Sequence, residues 1–140
     1  MNAIKLYRLG NFFHRKKLKL LAKLVDMLVF LIYNSYIPSS CTIGKGSKFA
    51  YKGIGVVIHA RSTIGENCLI GQNITIGGKD GDAQPPRIGN GVYIAAGARI
   101  IGDIFIGDNC KIGANAVVNK TFPADSVLAG VPAKKIKEIL

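Results

Sequence analysis

The stretch GVVIHARSTIGENCLIGQNITIGG (residues 55–78) repeats a unit of six residues. Within it isoleucine recurs at Ile58, Ile64, Ile70 and Ile76, and glycine follows the last three of these. His59 stands where the other units place that glycine. Neither the helical period of 3.6 residues nor the period of two of a simple strand explains this spacing.

The apolar ladder continues well beyond this stretch. Its members are Ile58, Ile64, Ile70, Ile76, Ile88, Ile94, Ile100, Ile106, Ile112 and Val118. Every step is six residues except the twelve-residue step from Ile76 to Ile88. Two positions before the rungs come small or branched residues: Val56, Ser62, Cys68, Ile74, Val92, Ala98, Ile104, Cys110 and Ala116. This pattern is typical of a hexapeptide β-solenoid, in which three units form one triangular coil of about 18 residues and the isoleucines stack inside.

The chain therefore divides into a helical and a solenoid part. The first part is rich in Leu, Lys and Phe and contains only Gly10 as a breaker, so we expect a helix interrupted near Gly10–Asn11. The predicted organisation is an N-terminal helical segment over 1–38, an all-β solenoid over 42–133 with an inserted loop at 78–87, and a C-terminal tail over 134–140. The loop is either a surface excursion or a lip over a binding site.

The net charge of +11 is concentrated near the N-terminus. Residues 1–40 carry seven basic residues and one acidic residue, a net charge of +6. Such a segment suits polyanionic partners, namely nucleic acid, anionic lipid or a phosphate-rich cofactor. We do not predict nucleic-acid binding, because the basic run lacks a recognition motif and interleaved aromatic residues.

The helical segment has three interpretations. It caps the open end of the solenoid, it joins subunits, or residues 14–33 contact a membrane surface with lysines toward anionic head groups. The apolar run from Leu20 to Tyr33 is shorter than the about 20 residues that a membrane span needs.

The cysteines and the absence of a convincing secretory signal favour a cytoplasmic protein, with the inner face of the membrane as a further option. The three cysteines form no CxxC pair. Cys68 and Cys110 occupy inward positions two coils apart, roughly 10 Å, which is too far for a disulfide and indicates core packing.

The pattern [LIV]-G-x-x-x-x, the stretches IGQNITIGG, RIGNGVYIAAGARIIGD and KIGANAVV, and the ending SVLAGVPAKKI resemble the hexapeptide-repeat acyltransferases. The resemblance covers roughly residues 42–136. It is strongest to the serine-acetyltransferase-like branch, including relatives that acetylate sugars. It implies a left-handed parallel β-helix, acetyl-CoA as the acetyl donor, and a homotrimer with sites between neighbouring prisms.

His59 is the predicted general base, because histidine can accept a hydroxyl proton near neutral pH. The only other histidine, His14, lies in a basic helical stretch. In typical serine acetyltransferases the basic histidine lies about seven residues earlier, at a slot that falls near Tyr51–Lys52 here, and a second histidine is present in the loop. We therefore expect Tyr51 and Lys52 to contact the acceptor.

For the donor, the resemblance places coenzyme A along Gly78, Ala96 and Ala114. Ala96 and Ala114 are 18 positions apart, which is one coil, so they are expected to stack as a column of small side chains. Gly78 also lies 18 positions before Ala96, but the inserted loop falls between the two. Backbone N–H groups along such a column can stabilise the developing oxyanion. Lys134 and Lys135 are expected near the phosphates of the coenzyme, with a solvated charge cluster as the alternative.

We predict an acetyl-CoA-dependent O-acetyltransferase that acts on a sugar or surface-polysaccharide precursor, including a lipid-linked sugar, by direct transfer without a metal. One alternative is serine O-acetyltransferase. An alternative of another class is a non-catalytic polyanion-binding or scaffold module. A metal hydrolase on the same solenoid would need three histidine ligands, and the solenoid offers one.

Overall fold

The computed structural model describes residues 1–140 as two helices followed by a parallel β-solenoid. Helix α1 spans Ala3–Arg15, helix α2 spans Lys19–Tyr33, and one 3-10 turn covers Ala50–Gly53. The fourteen short strands are β1 (Thr42–Ile43), β2 (Lys48–Phe49), β3 (Val57–Ile58), β4 (Thr63–Ile64), β5 (Leu69–Ile70), β6 (Thr75–Gly77), β7 (Arg87–Ile88), β8 (Tyr93–Ile94), β9 (Arg99–Ile101), β10 (Phe105–Ile106), β11 (Lys111–Ile112), β12 (Val117–Val118), β13 (Ser126–Ala129) and β14 (Lys134–Glu138).

The strands stack into three faces, as the six-residue unit predicts. Face 1 contains β1, β4, β7 and β10; face 2 contains β2, β5, β8, β11, β13 and β14; face 3 contains β3, β6, β9 and β12. Neighbouring strands are parallel except β14, which runs antiparallel to β13. Because the chain visits faces 1, 2 and 3 in turn, each coil has three edges at which the chain changes face.

The ladder residues fill the interior of the prism. No rung from Ile58 to Val118 is more than 4% exposed, and the small or branched residues two positions before the rungs are also buried. Each fully buried isoleucine stabilises the fold by about 1.5–3 kcal/mol relative to an exposed one. Cys68 and Cys110 are free thiols buried in this second inward set, which confirms their predicted packing role.

The twelve-residue step is an insertion of one unit that leaves the stacking in phase. Ile58 pairs with Ile76 at a separation of 18 residues, whereas Ile76 pairs with Ile100 at 24. β6 ends at Gly77 and β7 begins at Arg87, so the inserted loop covers residues 78–86. The first coil is also longer, with 21 residues from Ile43 to Ile64, because the 3-10 turn adds three residues that the ladder does not reveal.

Helix α1 closes the N-terminal end of the prism. The first coil has no strand beneath it, so its backbone groups need other partners. The Tyr7 hydroxyl donates to the Cys41 carbonyl at 2.7 Å and accepts from the Ile43 N–H at 3.0 Å. The Arg8 guanidinium donates to the carbonyls of Ile43 and Gly44. The helical segment therefore acts as a cap, one of the three roles considered for it.

The predicted helix break near Gly10–Asn11 is wrong. Gly10 lies inside α1, where it allows close packing: a Cβ atom there would lie 2.1 Å from the Ser39 hydroxyl oxygen. The helices instead separate at Lys16–Leu18, where Lys17 adopts a φ of 61°. Neither helix combines the length and the apolar character that a membrane span requires.

Residues 134–138, predicted as a tail, form β14 on the edge of face 2. Its register pairs Lys134 with Ala129 and Glu138 with Ser126. Lysines on an exposed edge strand oppose pairing with other chains. This strand closes the C-terminal side of the fold on face 2.

Candidate active site

His59 lies where face 3 meets face 1, and we call this line the histidine edge (His59–Ser62, Gly78 and Gly102–Ile104). Strand β3 ends at Ile58, and a turn closed by the bond from the Ser62 N–H to the His59 carbonyl leads into β4. The His59 N–H donates to the Ile76 carbonyl of the next coil at 2.8 Å. Stacking of the coils therefore fixes the backbone of a half-buried histidine.

The imidazole of His59 has one occupied and one open nitrogen. Its Nδ1 accepts a hydrogen bond from the Arg61 backbone N–H at 3.1 Å. In the neutral ring this bond places the proton on Nε2. A Cβ atom at Gly78 would lie 3.9 Å from Nε2, so the two residues are neighbours. The Gly78 N–H makes no hydrogen bond within the chain, and the edge therefore presents a free backbone donor beside the imidazole.

The inserted loop lies along the same edge. The Arg61 guanidinium reaches the Ala83 carbonyl at 3.4 Å, and the Asp82 carboxylate accepts from the Asp103 N–H at 2.9 Å. Between the loop and face 3 lies a cleft of about 470 Å³, lined among others by Lys79, Asp82 and Val117. The loop thus has the position that a lip beside His59 requires.

Ala96 and Ala114 lie at a different edge, where face 2 meets face 3. We call it the alanine edge (Gly55, Asn73, Ala96–Gly97 and Ala114–Asn115). The pairing of Tyr93 with Lys111 places the two alanines one coil apart, as predicted. They line a cleft of about 510 Å³, and neither alanine N–H makes a hydrogen bond within the chain. Small side chains and free N–H groups suit a thin, amide-bearing ligand.

Gly78 does not continue this column, which corrects the predicted stacking of the three donor residues. The 18 positions from Gly78 to Ala96 include the inserted loop, so they do not equal one coil. The Gly97 N–H donates to the Gln72 carbonyl, and the residue stacked beneath Ala96 is therefore Gln72. Within one chain, the residues predicted to bind the acetyl donor therefore lie on both edges of face 3.

Lys134 and Lys135, which were predicted to lie near the coenzyme phosphates, are at the C-terminal end of the alanine edge. A Cβ atom at Gly113, the neighbour of Ala114, would lie 3.5 Å from that of Ala129, and Lys134 pairs with Ala129. Lys134 therefore lies on face 2 two strands beyond Gly113, close to the upper end of the alanine edge. Lys135 forms an ion pair with Glu138 at 2.6 Å. This hydrogen bond and the lysine charge lower the pKa of the Glu138 carboxyl.

Tyr51 and Lys52 lie at the N-terminal end of the same edge, between β2 and β3. Their φ angles of 46° and 64° place two consecutive non-glycine residues in the left-handed region. Each such residue costs roughly 1–2 kcal/mol, and the surrounding coil must hold them there. Both side chains are exposed.

Comparison with known proteins identifies the family. The family model "Bacterial transferase hexapeptide (six repeats)" matches residues 85–120. A serine acetyltransferase of Helicobacter pylori is 36% identical over 138 residues, which are 97% of this chain and 80% of that protein. A serine acetyltransferase of Synechococcus elongatus is 33% identical over 136 residues, which are 96% of this chain and 55% of that protein. The chain belongs to the serine acetyltransferase family.

A solved structure supports the same assignment. A serine acetyltransferase in complex with CoA superposes with a TM-score of 0.86 and 34% identity, over 96% of this chain and 55% of that one. The likeness to solved members of the family confirms the predicted left-handed parallel β-helix. The chain spans about half the length of this structure and of the Synechococcus relative.

The predicted sugar or surface-polysaccharide acceptor is wrong. The relatives that match almost the whole chain are serine acetyltransferases, so the family favours the serine alternative and gives no support to a role in polysaccharide biosynthesis. The predicted enzyme class, an acetyl-CoA-dependent acyltransferase, agrees with this serine acetyltransferase family and with its CoA complex.

Arg99, which was not among the predicted site residues, lines the alanine-edge cleft together with Ala96 and Ala114. Its guanidinium donates to the Asn73 carbonyl, which holds the charge against face 3. Arg99 directly precedes the rung Ile100, as Arg87 and Lys111 precede other rungs. Because such positions usually carry solvated charges, the spacing alone did not distinguish it.

Proposed function

We propose that this protein is an acetyl-CoA-dependent serine O-acetyltransferase. The observation that carries the proposal is its similarity, over 97% of the chain, to a serine acetyltransferase of which it covers 80%. The half-buried imidazole beside a free backbone N–H on one edge, and a cleft with two free N–H groups on the other, provide the groups that acetyl transfer needs.

The donor lies along the alanine edge. Its thioester end is placed near the N-terminal coils and its phosphates near Lys134 and Lys135. The free N–H groups of Ala96 and Ala114 are available to the amide carbonyls of its pantetheine arm. Arg99 supplies a fixed positive charge in the same cleft.

The acceptor lies at the N-terminal end of this edge. Tyr51 and Lys52 project there from the strained turn, and the Lys52 ammonium pairs with the carboxylate of serine. In the serine acetyltransferases this slot holds the basic histidine, so proton transfer in this chain must come from elsewhere. His59 is the available group.

A complete site requires two chains. His59 and Gly78 lie on one edge of face 3, and Lys52, Ala96 and Ala114 lie on the other, separated by about six residues or up to roughly 20 Å of extended chain. A neighbouring chain that brings its histidine edge to the alanine edge of the first completes the constellation. Repeating this unlike-edge contact around a triangular prism gives a closed homotrimer.

In the proposed reaction His59 accepts the serine hydroxyl proton while the oxygen attacks the thioester carbonyl carbon. The Gly78 N–H stabilises the oxyanion, the carbon–sulfur bond breaks, and the imidazolium returns the proton to the coenzyme A thiolate. Nε2 carries the ring proton in the neutral imidazole, so Nε2 can accept the serine proton only after the ring proton has moved to Nδ1. This move breaks the hydrogen bond from the Arg61 N–H to Nδ1. That exposed bond contributes about 1 kcal/mol, so the tautomer shift reduces the rate only about fivefold.

The test is release of the coenzyme A thiol with acetyl-CoA and L-serine. His59→Gln keeps a donor near the Nε2 position but cannot accept the proton, and we expect kcat to fall about 10²–10⁴-fold. His14→Gln is the matched control, because that exposed histidine lies on α1, and it should leave kcat unchanged. Absence of serine-dependent thiol release, or wild-type kcat in His59→Gln, would overturn the proposal.

A further inference from the structure

Helix α2 carries an apolar surface on the side that faces away from the prism. Its buried residues are Ala22, Val25, Val29 and Tyr33. Its exposed large apolar residues outside the polar flank are Leu20, Leu21, Leu24, Met27, Leu28, Leu31 and Ile32. Leu20 and Leu31 are 73% and 69% exposed. The polar residues Lys19, Lys23 and Asp26 occupy only one flank of the helix, so most of the outward surface is hydrocarbon.

This surface is too large to be an ordinary feature of a monomer. Together the seven side chains expose roughly 600–700 Å², whereas the largest apolar patch on a typical monomer is about 300–600 Å². Covering it with an equal surface would bury roughly 1,200–1,400 Å² in total, which lies at the lower end of stable protein–protein interfaces. A partner of matching size therefore accounts for the exposed area.

The spacing of the outermost residues indicates a second helix as that partner. Leu20, Leu24, Met27 and Leu31, which we call the α2 seam, are separated by four, three and four residues. This is the spacing that faces the partner in a coiled coil. The same intervals are read from either end, so a two-fold axis between Val25 and Asp26 would place Leu20 against Leu31 of the partner subunit.

The charges select the antiparallel arrangement. Most exposed basic residues around this helix lie at or before its first turns: Arg15, Lys16, Lys17, Lys19 and Lys23. Only Lys52 lies beside its C-terminal end, next to Ile32 and Tyr33. A parallel pair would bring both basic clusters together. An antiparallel pair places them at opposite ends of a helix of about 22 Å, each beside the negative end of the helix dipole of the partner.

We propose that a second copy of this chain docks on the α2 seam with its own α2 antiparallel. Leu20 then packs on Leu31 of the partner subunit and Leu24 packs on Met27 of the partner subunit. This isologous contact uses neither edge of face 3. It therefore joins chains, or trimers, independently of the contact that completes the active site.

Engineered cysteines test the register directly. The double variant Leu20→Cys/Leu31→Cys should form a disulfide-linked dimer at least tenfold faster than either single variant under mild oxidation. An intrachain bond is impossible, because eleven residues of helix span about 16 Å. The native thiols are buried and do not compete. Phe30→Cys, exposed on the polar flank, gives the background rate.

A second pair of variants tests the seam without crosslinking. Leu24→Glu or Leu31→Glu should halve the mass measured by sedimentation velocity, whereas Lys23→Glu, on the flank, should leave it unchanged. Circular dichroism confirms that each variant is folded. Thiol release in the presence of serine reports separately on the active site.

Two outcomes would overturn the proposal. In the first, a single Leu24→Cys variant crosslinks as fast as the double variant, which indicates parallel helices. In the second, no variant crosslinks faster than Phe30→Cys and Leu24→Glu leaves the mass unchanged. Loss of cosedimentation of Leu24→Glu with phosphatidylserine vesicles would then identify a lipid surface as the occupant.

Discussion

Replacing Tyr7 by phenylalanine tests the capping of the solenoid by α1. The ring is 1% exposed, and its hydroxyl makes two hydrogen bonds to the first coil. Burial, the nearby Cys41 thiol and the hydrogen bond to Cys41 raise the pKa of Tyr7, although the Ile43 N–H and the Arg8 charge oppose this shift. The substitution removes one oxygen atom and keeps the packing of the ring.

The expected loss of stability follows from the groups left without partners. The Ile43 N–H lies in a buried residue and has no other acceptor, at a desolvation cost of about 1–3 kcal/mol. The Cys41 carbonyl keeps only the long bond from the Asn11 amide at 3.5 Å. Its lost bond adds about 1 kcal/mol. The total is about 2–4 kcal/mol, or a decrease in Tm of roughly 5–15 °C for a chain of this length.

Urea unfolding followed by far-UV circular dichroism measures this loss. Tyr93→Phe is the matched control, because that tyrosine is 44% exposed and its hydroxyl makes no hydrogen bond. It should change the free energy of unfolding by less than about 0.5 kcal/mol. If Tyr7→Phe behaved like Tyr93→Phe, the hydrogen bonds between α1 and the first coil would not stabilise the fold.

Four further substitutions test individual buried contacts by urea unfolding. Gly10→Ala, usually stabilising by about 1 kcal/mol in a helix, should destabilise by about 1–3 kcal/mol because of the close Ser39 contact; a gain would contradict this packing. Ser62→Ala should stabilise by about 1 kcal/mol, since its buried Oγ has no partner, whereas Ser47→Ala should destabilise, since that hydroxyl donates to the Gly65 carbonyl and accepts from the Cys68 N–H. Burial, followed by the Asp26 charge, raises the pKa of Cys41 to about 12 from 9.0. The unfolded chain loses the Cys41 proton above pH 9, whereas the folded protein keeps it until about pH 12. The stability that the protonated Cys41 thiol contributes is therefore fully present below pH 9 and is lost as the pH rises toward 12, by at most about 1.4 kcal/mol per pH unit. Cys41→Ala should flatten this decline between pH 9 and 10.5, and an unchanged slope would refute the assignment.

The solenoid could be predicted from the sequence because a stacked coil makes every rung face the same interior. One apolar position in six was enough to place Ile58 through Val118 inside, and the single twelve-residue step located the loop. The break between the helices was not predictable from composition. Gly10 is required by a contact with Ser39, which lies 29 positions away in the chain, and local propensity carries no information about that contact.

The candidate site, like the fold, could be predicted only in part from the sequence. The sequence singled out His59 because it breaks the glycine pattern, and the structure places it beside Gly78. The stacking of Gly78 beneath Ala96 within one chain is wrong, because the 18 residues between them include the inserted loop. Arg99 was missed because its position before a rung is shared with solvated residues, and only the stacking places it in the cleft.

The choice of acceptor depended on resemblance alone. The Tyr51–Lys52 slot lacks the histidine of typical serine acetyltransferases, yet the whole-chain comparison favours serine as the acceptor. A general base accepts the hydroxyl proton in the same way whether the acceptor is serine or a sugar. The discriminating contacts are those to the rest of the acceptor, and these cannot be read from the spacing of the repeat.

The two ends of the prism are closed by elements of different kinds, and this has a consequence for assembly. A column of identical coils could in principle add the first coil of another molecule to its last one and grow without limit. Here helix α1 occupies the first coil and the reversed strand β14 covers the last strand of face 2. Each element blocks continued stacking on the part of the prism that it covers, and removal of residues 134–138 would expose the last strand of face 2 to pairing with another molecule.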